Sequence, residues 1–115
     1  MSSIGFRFYF NRRKQWADVV IHDVSVDTFV RHNGTRWGYY QAEAERHNRT
    51  GKFGEIHIVM GRVTADLVAH EIDHMRWDWI FSNGITPTPR NEERLVTLLD
   101  EMTRNFWREY RKVKE

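Results

Sequence analysis

TADLVAHEIDHMRWDWIF, residues 64 to 81, carries the pattern His70-Glu71-Ile72-Asp73-His74. The spacing predicts an α-helix. Four helical residues turn about 400°, so His70 and His74 fall one turn apart on one stripe and can reach a common metal ion. Glu71, about 100° further round than His70, falls beside that ion, where it can take a proton from metal-bound water. Thr64 is placed to cap the helix and Asp66 lies in its first turn. No Gly or Pro interrupts the run until Gly84. Val68, Ile72, Met75 and Trp79 form an apolar stripe, and His70 and His74 lie nearly opposite it, flanked by Trp77 and Phe81.

Upstream, Ile4–Phe10 alternates around Arg7 and predicts a strand, followed by a polar turn over Asn11–Lys14. Trp16–Val26 alternates more loosely and predicts a second strand. Asp27–His32 fits a short helical turn ending at Asn33-Gly34. Arg36–Ala44 and Glu55–Met60 read as two further strands joined across a polar loop. Beyond the motif helix, Ser82–Arg90 holds Gly84, Pro87 and Pro89 and predicts a loop. Thr88 and Pro89 fit the cap and first position of a last helix running to about Lys112. These elements predict an α+β fold: a mostly antiparallel sheet of about four strands, packed on the motif helix and a C-terminal helix.

The 115 residues suit one domain, 1–115, with a single core. A chain with 40% hydrophobic and 14% aromatic residues is not expected to be disordered. Cysteine is absent, which excludes disulfides and thiolate metal sites, so a zinc ion would need His and carboxylate ligands. No apolar run approaches a membrane span, and MSSIGFRFYFNRRK lacks a signal-peptide layout, so an intracellular protein with no membrane partner is expected. The formal charge is +2 with pI about 9.2. Arg12, Arg13 and Lys14 cluster near one end and Arg108, Arg111, Lys112 and Lys114 near the other. Solvated surface is the main reading of both clusters, and weak nucleic-acid contact the minor one.

A catalytic zinc site takes three protein ligands and leaves one position open. Asp78 continues the stripe of His74 but would complete a tetrahedron poorly from the same straight helix. On the last helix Leu95, Val96, Leu99, Met102, Thr103, Phe106 and Tyr110 fall on the side of Glu92, which predicts that Glu92 points into the domain. Glu93 shares its side with Thr97, Asp100, Arg104 and Arg111. Glu92 is therefore the expected third ligand, with Glu93 as the alternative.

The strand EIHIVM, the helix VAHEIDH and a later helix beginning NEER resemble the zincin metallopeptidases. More narrowly they resemble gluzincins, in which a glutamate on a later helix is the third ligand, and small zincin-like domains of phages and mobile elements. The resemblance covers about Arg36–Tyr110 and is specific only at the H-E-x-x-H. It implies a zinc-dependent peptidase acting on an intracellular protein or peptide, through zinc-bound water with Glu71 as general base. It also implies that the strand before the motif helix, Glu55, Ile56, His57, Ile58 and Val59 among its residues, forms the sheet edge above the cleft and binds substrate. Tyr39, Tyr40, His57 and Tyr110 are open candidates for the oxyanion. His22, His32 and His47 read as surface or satisfied histidines. Two other functions fit the same residues: a non-catalytic zincin-fold binding or inhibitor protein, and a DNA-associated protease.

Overall fold

Phe6, Phe8 and Phe10 alternate with Gly5, Arg7 and Tyr9, and in a computed structural model this period builds the first strand, β1 (Ser3–Phe10). The structure describes residues 3–34, 36–46 and 49–114. β2 (Gln15–His22) returns antiparallel to β1, pairing Phe8 with Ala17 and Ser3 with His22. It stops at His22, short of Val26, because the Ser25 side chain accepts the Thr28 N–H and caps α1 (Val26–Asn33). β3 (Gly38–Ala42) then pairs antiparallel with β4 (Gly51–Val59). β4 also pairs with β2, and that pairing is parallel. The sheet order is β1-β2-β4-β3. The protein is thus α+β with a mixed sheet in which two of the three pairings are antiparallel.

One sheet face carries the core. Phe8, Phe10, Ala17, Val19, Phe53, Ile56 and Ile58 are fully buried there. α2 (Ala65–Ser82) and α3 (Glu92–Lys114) cover this face, α2 over β3 and β4, α3 over β1. The buried stripe of α2 is Val68, Ile72, Met75, Trp79 and Ile80, as its 3.6-residue period dictates. α3 inserts Leu95, Leu98, Met102 and Phe106, and the Phe106 ring meets Phe6 and Phe8 edge-on. The other sheet face is polar, with Arg7, Asp18, Lys52 and Glu55 in ion pairs, and α1 lays Phe29 against His22 and Tyr39 at its far end. No helix of the described residues is long and apolar enough to cross a membrane.

β4 starts at Gly51, four residues before the expected Glu55 and inside the stretch read as a loop, and the two long helices also open differently from expectation. Thr64 stands at the N-cap of α2, but its side chain does not cap the helix. α3 begins at Glu92, three residues past Pro89, because Thr88–Asn91 closes a turn of its own. The Asn91 N–H donates to the Thr88 carbonyl, and the Thr88 N–H to the Asn91 Oδ1. Asn91 then accepts the Leu95 N–H and starts the helix.

Gly54 decides how closely β3 can lie over β4. A Cβ there would come within 2.6 Å of Tyr40 Cε1 and 2.8 Å of the Gln41 carbonyl oxygen. The empty space lets Tyr40 lie across β4 and reach Asp78 on α2 with its hydroxyl, at 2.7 Å. Gly54→Ala should therefore displace Tyr40 and lower stability by about 1–3 kcal/mol, the range for overpacking. Urea unfolding measures this; an unchanged midpoint would show that Tyr40 moves aside freely.

Candidate active site

The apolar stripe of α2 faces the sheet, so its opposite side must face outward. His70 and His74 stand there, both exposed. Their Nε2 atoms are 3.1 Å apart and the ring planes are nearly perpendicular, at 85°. Two zinc–nitrogen bonds of about 2.0–2.1 Å at a near-tetrahedral angle place their nitrogens about 3.3 Å apart. The observed spacing, here that of a hydrogen bond between the two rings, is close to that separation. The imidazole pair opens on a groove of about 930 Å³ between α2 and α3, whose opposite wall is Leu99, Asp100, Thr103 and Arg104.

Glu71 lies on the other flank of the same turn and is only 3% exposed. It looks toward β3 and shares a smaller hollow with Arg36, Tyr40, His74 and Asp78. Burial pushes its carboxyl pKa up, and His70, His74, Arg36 and a hydrogen bond from the Tyr40 main chain oppose this without reversing it. His74 lines both the groove and the hollow, so the imidazole pair and Glu71 are neighbours around one edge of the helix. Arg36, the cation of the hollow, carried no signal in the sequence; only the pairing of β3 brings it beside Glu71.

Asp78 is fully engaged. Arg46 donates to both of its oxygens, at 2.6 and 2.8 Å, and the Tyr40 hydroxyl and Ser82 add to the network. Burial raises the Asp78 pKa, but the bonds from Arg46 and Tyr40 outweigh it and hold the carboxylate below its usual range. The same burial and the bond to Asp78 drive the Tyr40 hydroxyl far up. Tyr40 is thereby a brace between β3 and α2. Asp78 shares the hollow with His74, but its oxygens are engaged by this brace.

Glu92 and Glu93 are both exposed at the start of α3, so the expectation that Glu92 points inward does not hold. The buried stripe, Leu95, Leu98, Met102 and Phe106, is centred about 75° away from Glu92 around the helix. Position along the helix matters as well. Arg76, in the second half of α2, donates from its guanidinium to the Leu95 carbonyl at 3.3 Å near the start of α3. Glu92 lines a separate groove with Arg76, Trp77 and Pro89, whereas the residues level with the histidines are Asp100 and Thr103. Eight residues, about 12 Å of helix, separate Glu92 from Asp100. Among the described residues no group of three or more His, Asp or Glu is gathered closely enough to hold a metal ion.

The strand preceding α2 is not the sheet edge. β4 is paired on both sides, with β2 through Ile56, His57, Ile58 and Val59 and with β3 through Glu55 to Ile58. Its backbone groups are spent within the sheet, which corrects the assignment of Glu55, Ile56, His57, Ile58 and Val59 to substrate binding. The edge on this side is β3. His57 and Tyr39 point to the polar face, away from α2, and stack on each other at 4.7 Å. Tyr110 packs on Phe6 and Phe106. His22 bonds His57 at 2.8 Å and His32 bonds the Thr28 carbonyl, so both are satisfied, while His47 lies outside the described residues.

Comparison of the chain with protein-family models, with curated proteins and with solved structures finds no match.

A buried carboxyl with a raised pKa has a definite pH signature. Its contribution to stability is fully present below the ordinary glutamate pKa and is lost as pH rises through the raised folded value. In metal-free protein Glu71→Gln should remove that loss. The variant should match or exceed the parent at pH 7 and lose this advantage toward pH 4. Urea unfolding across this range, with chelator present, checks it; a variant less stable at pH 7 would mean that ionised Glu71 is well solvated.

Proposed function

We propose that this chain is a zinc-dependent peptidase of the zincin type, with His70 and His74 as metal ligands and Glu71 as general base. The observation that carries the reading is the imidazole pair, 3.1 Å apart and exposed at the mouth of a groove, with a buried carboxylate on the adjoining flank. The third ligand we propose is Asp100, the carboxylate on the wall opposite the histidines, which would have to close on them for a metal to bind. Asp73 and Asp66 line the same groove, but Asp73 is held by Arg76 and Asp66 by Thr64 and the first turn of α2.

A bound zinc ion would supply Lewis acidity, lowering the pKa of an attacking water and polarising a carbonyl. The chain's own residues supply the rest. Glu71, buried beside the histidines, accepts the proton of the attacking water and returns it to the leaving amine. Arg36, in the same hollow, provides positive charge beside the site where a carbonyl oxygen becomes anionic. Main-chain recognition falls to β3, the edge strand next to that hollow, to which an extended peptide can add beyond Tyr40, whose N–H is given to Glu71.

Metal content and ligand identity are tested first. Protein purified without added metal should carry near-stoichiometric zinc by elemental analysis, and His70→Ala or His74→Ala should remove most of it. Calorimetric titration of the stripped protein should show Asp100→Asn weakening zinc more than Glu92→Gln or Glu93→Gln. The reverse order would return the third ligand to the start of α3, and no metal in any variant would refute the site.

Catalysis is tested separately. Against an unstructured peptide mixture read by mass spectrometry, Glu71→Gln should keep zinc yet lose at least about 10²-fold of hydrolysis. Undiminished hydrolysis would exclude Glu71 as the base. Zinc binding without any hydrolysis by the parent would favour the non-catalytic binding protein.

A further inference from the structure

The turn between β1 and β2 places two arginines at the central positions of a type I′ hairpin turn, both of which demand positive φ. Asn11, Arg12 and Arg13 all have positive φ, at 54°, 55° and 65°. Asn tolerates that region, but two consecutive arginines rarely enter it. The turn is nevertheless anchored on three sides. The Asn11 N–H donates to Glu101 on α3 at 3.1 Å, and the Lys14 N–H to the Asn11 carbonyl at 3.1 Å. The Asn11 amide donates to Gln15 Oε1, an oxygen that also accepts the Trp79 indole N–H from α2.

The anchoring fixes where the charges go. Arg12 and Lys14 line a groove of about 550 Å³ with Arg94, Thr97, Glu101 and Arg104 of α3. Four cations face one carboxylate, and that carboxylate is engaged by the Asn11 N–H. Arg13 is diverted to the polar sheet face, where its guanidinium lies over Tyr9 at 4.3 Å. Arg104 lines both this groove and the groove of His70 and His74, so the two adjoin.

We propose that this groove binds the phosphate backbone of nucleic acid, without reading sequence, and so holds the protein on a polyanion beside its candidate active site. Three guanidinium forks and an ammonium suit phosphate oxygens, each fork offering paired N–H donors.

Fluorescence anisotropy with a labelled duplex of mixed sequence, titrated across salt concentrations, tests the proposal. Binding should weaken linearly on a log–log scale, and Arg12→Ala and Arg94→Ala should each lower the slope by about one. Arg13→Ala, in the same turn but outside the groove, should leave it unchanged. Glu101→Gln, which keeps an acceptor for Asn11 while removing the negative charge, should tighten binding. If Arg12→Ala fails to fold, Arg94→Glu at an exposed helix position replaces it and should abolish binding. The proposal is overturned by no binding at low salt, by an Arg13→Ala effect equal to that of Arg12→Ala, or by polyglutamate displacing the duplex as well as unlabelled DNA does.

Discussion

The parallel pairing of β2 with β4 constrains everything built on it. Two parallel neighbours cannot be joined by a tight turn, so the chain must cross from the end of one to the start of the other. Here the crossover consists of α1 and β3. α1 goes to the polar face and β3 to the edge, which leaves β4 between two partners. β4 then ends beside β2, where the Met60 N–H donates to the His22 carbonyl, and the chain turns through Gly61 into α2. The start and direction of the motif helix are therefore set by a pairing whose two strands lie some thirty-six residues apart at their partners Gln15 and Gly51.

Within α2 the division of labour follows from helical geometry. Burying Val68, Ile72, Met75 and Trp79 leaves His70 and His74 no choice but the outer side. Glu71 falls between these directions. It is drawn under β3 by the same packing that buries Ile72, and Tyr40 closes over it, pinned by Asp78 and Arg46. A carboxyl so placed weakens the fold when ionised. The brace from Arg46 through Asp78 to Tyr40 opposes that weakening by tying β3 to the helix. Its charged bonds are partly shielded from water, where they retain more of their strength than an exposed pair.

Legibility in the sequence tracked how local each determinant was. The α2 stripe, the four strands and the short α1 could be read from periodicity and turn residues, because each is decided within about a dozen neighbours. The edge strand could not. EIHIVM looks the same whether paired on one side or two, and its neighbours come from Gly38–Ala42 and Gln15–His22. The phase of α3 was legible only in part, since Leu95, Met102 and Phe106 belong to both the expected and the observed stripe. α3 packs on β1 along one side and α2 along another, so its inward direction is a compromise between the two. Leu98 entered the core, and Val96 and Glu92 were left exposed. Asp100, read as a solvent-face residue, is exposed and lines the groove of the histidines.

Gln15 shows how the two ends of the molecule are joined. It is fully buried, in a strand position that alternation reserves for an apolar side chain. A buried amide is tolerable only when its polar atoms are bonded. Its Oε1 accepts from Asn11 in the strained turn and from Trp79 in α2, at 2.9 Å each. Two donors from different elements thus converge on one oxygen, and neither can move without leaving it short of a partner. The turn that carries Arg12 and Lys14 is by this means held in register with the helix that carries His70 and His74. Leucine at this position would bury more apolar surface, but it would release the turn and the helix from one another. The amide trades some core hydrophobicity for a fixed relation between the basic groove and the histidine groove.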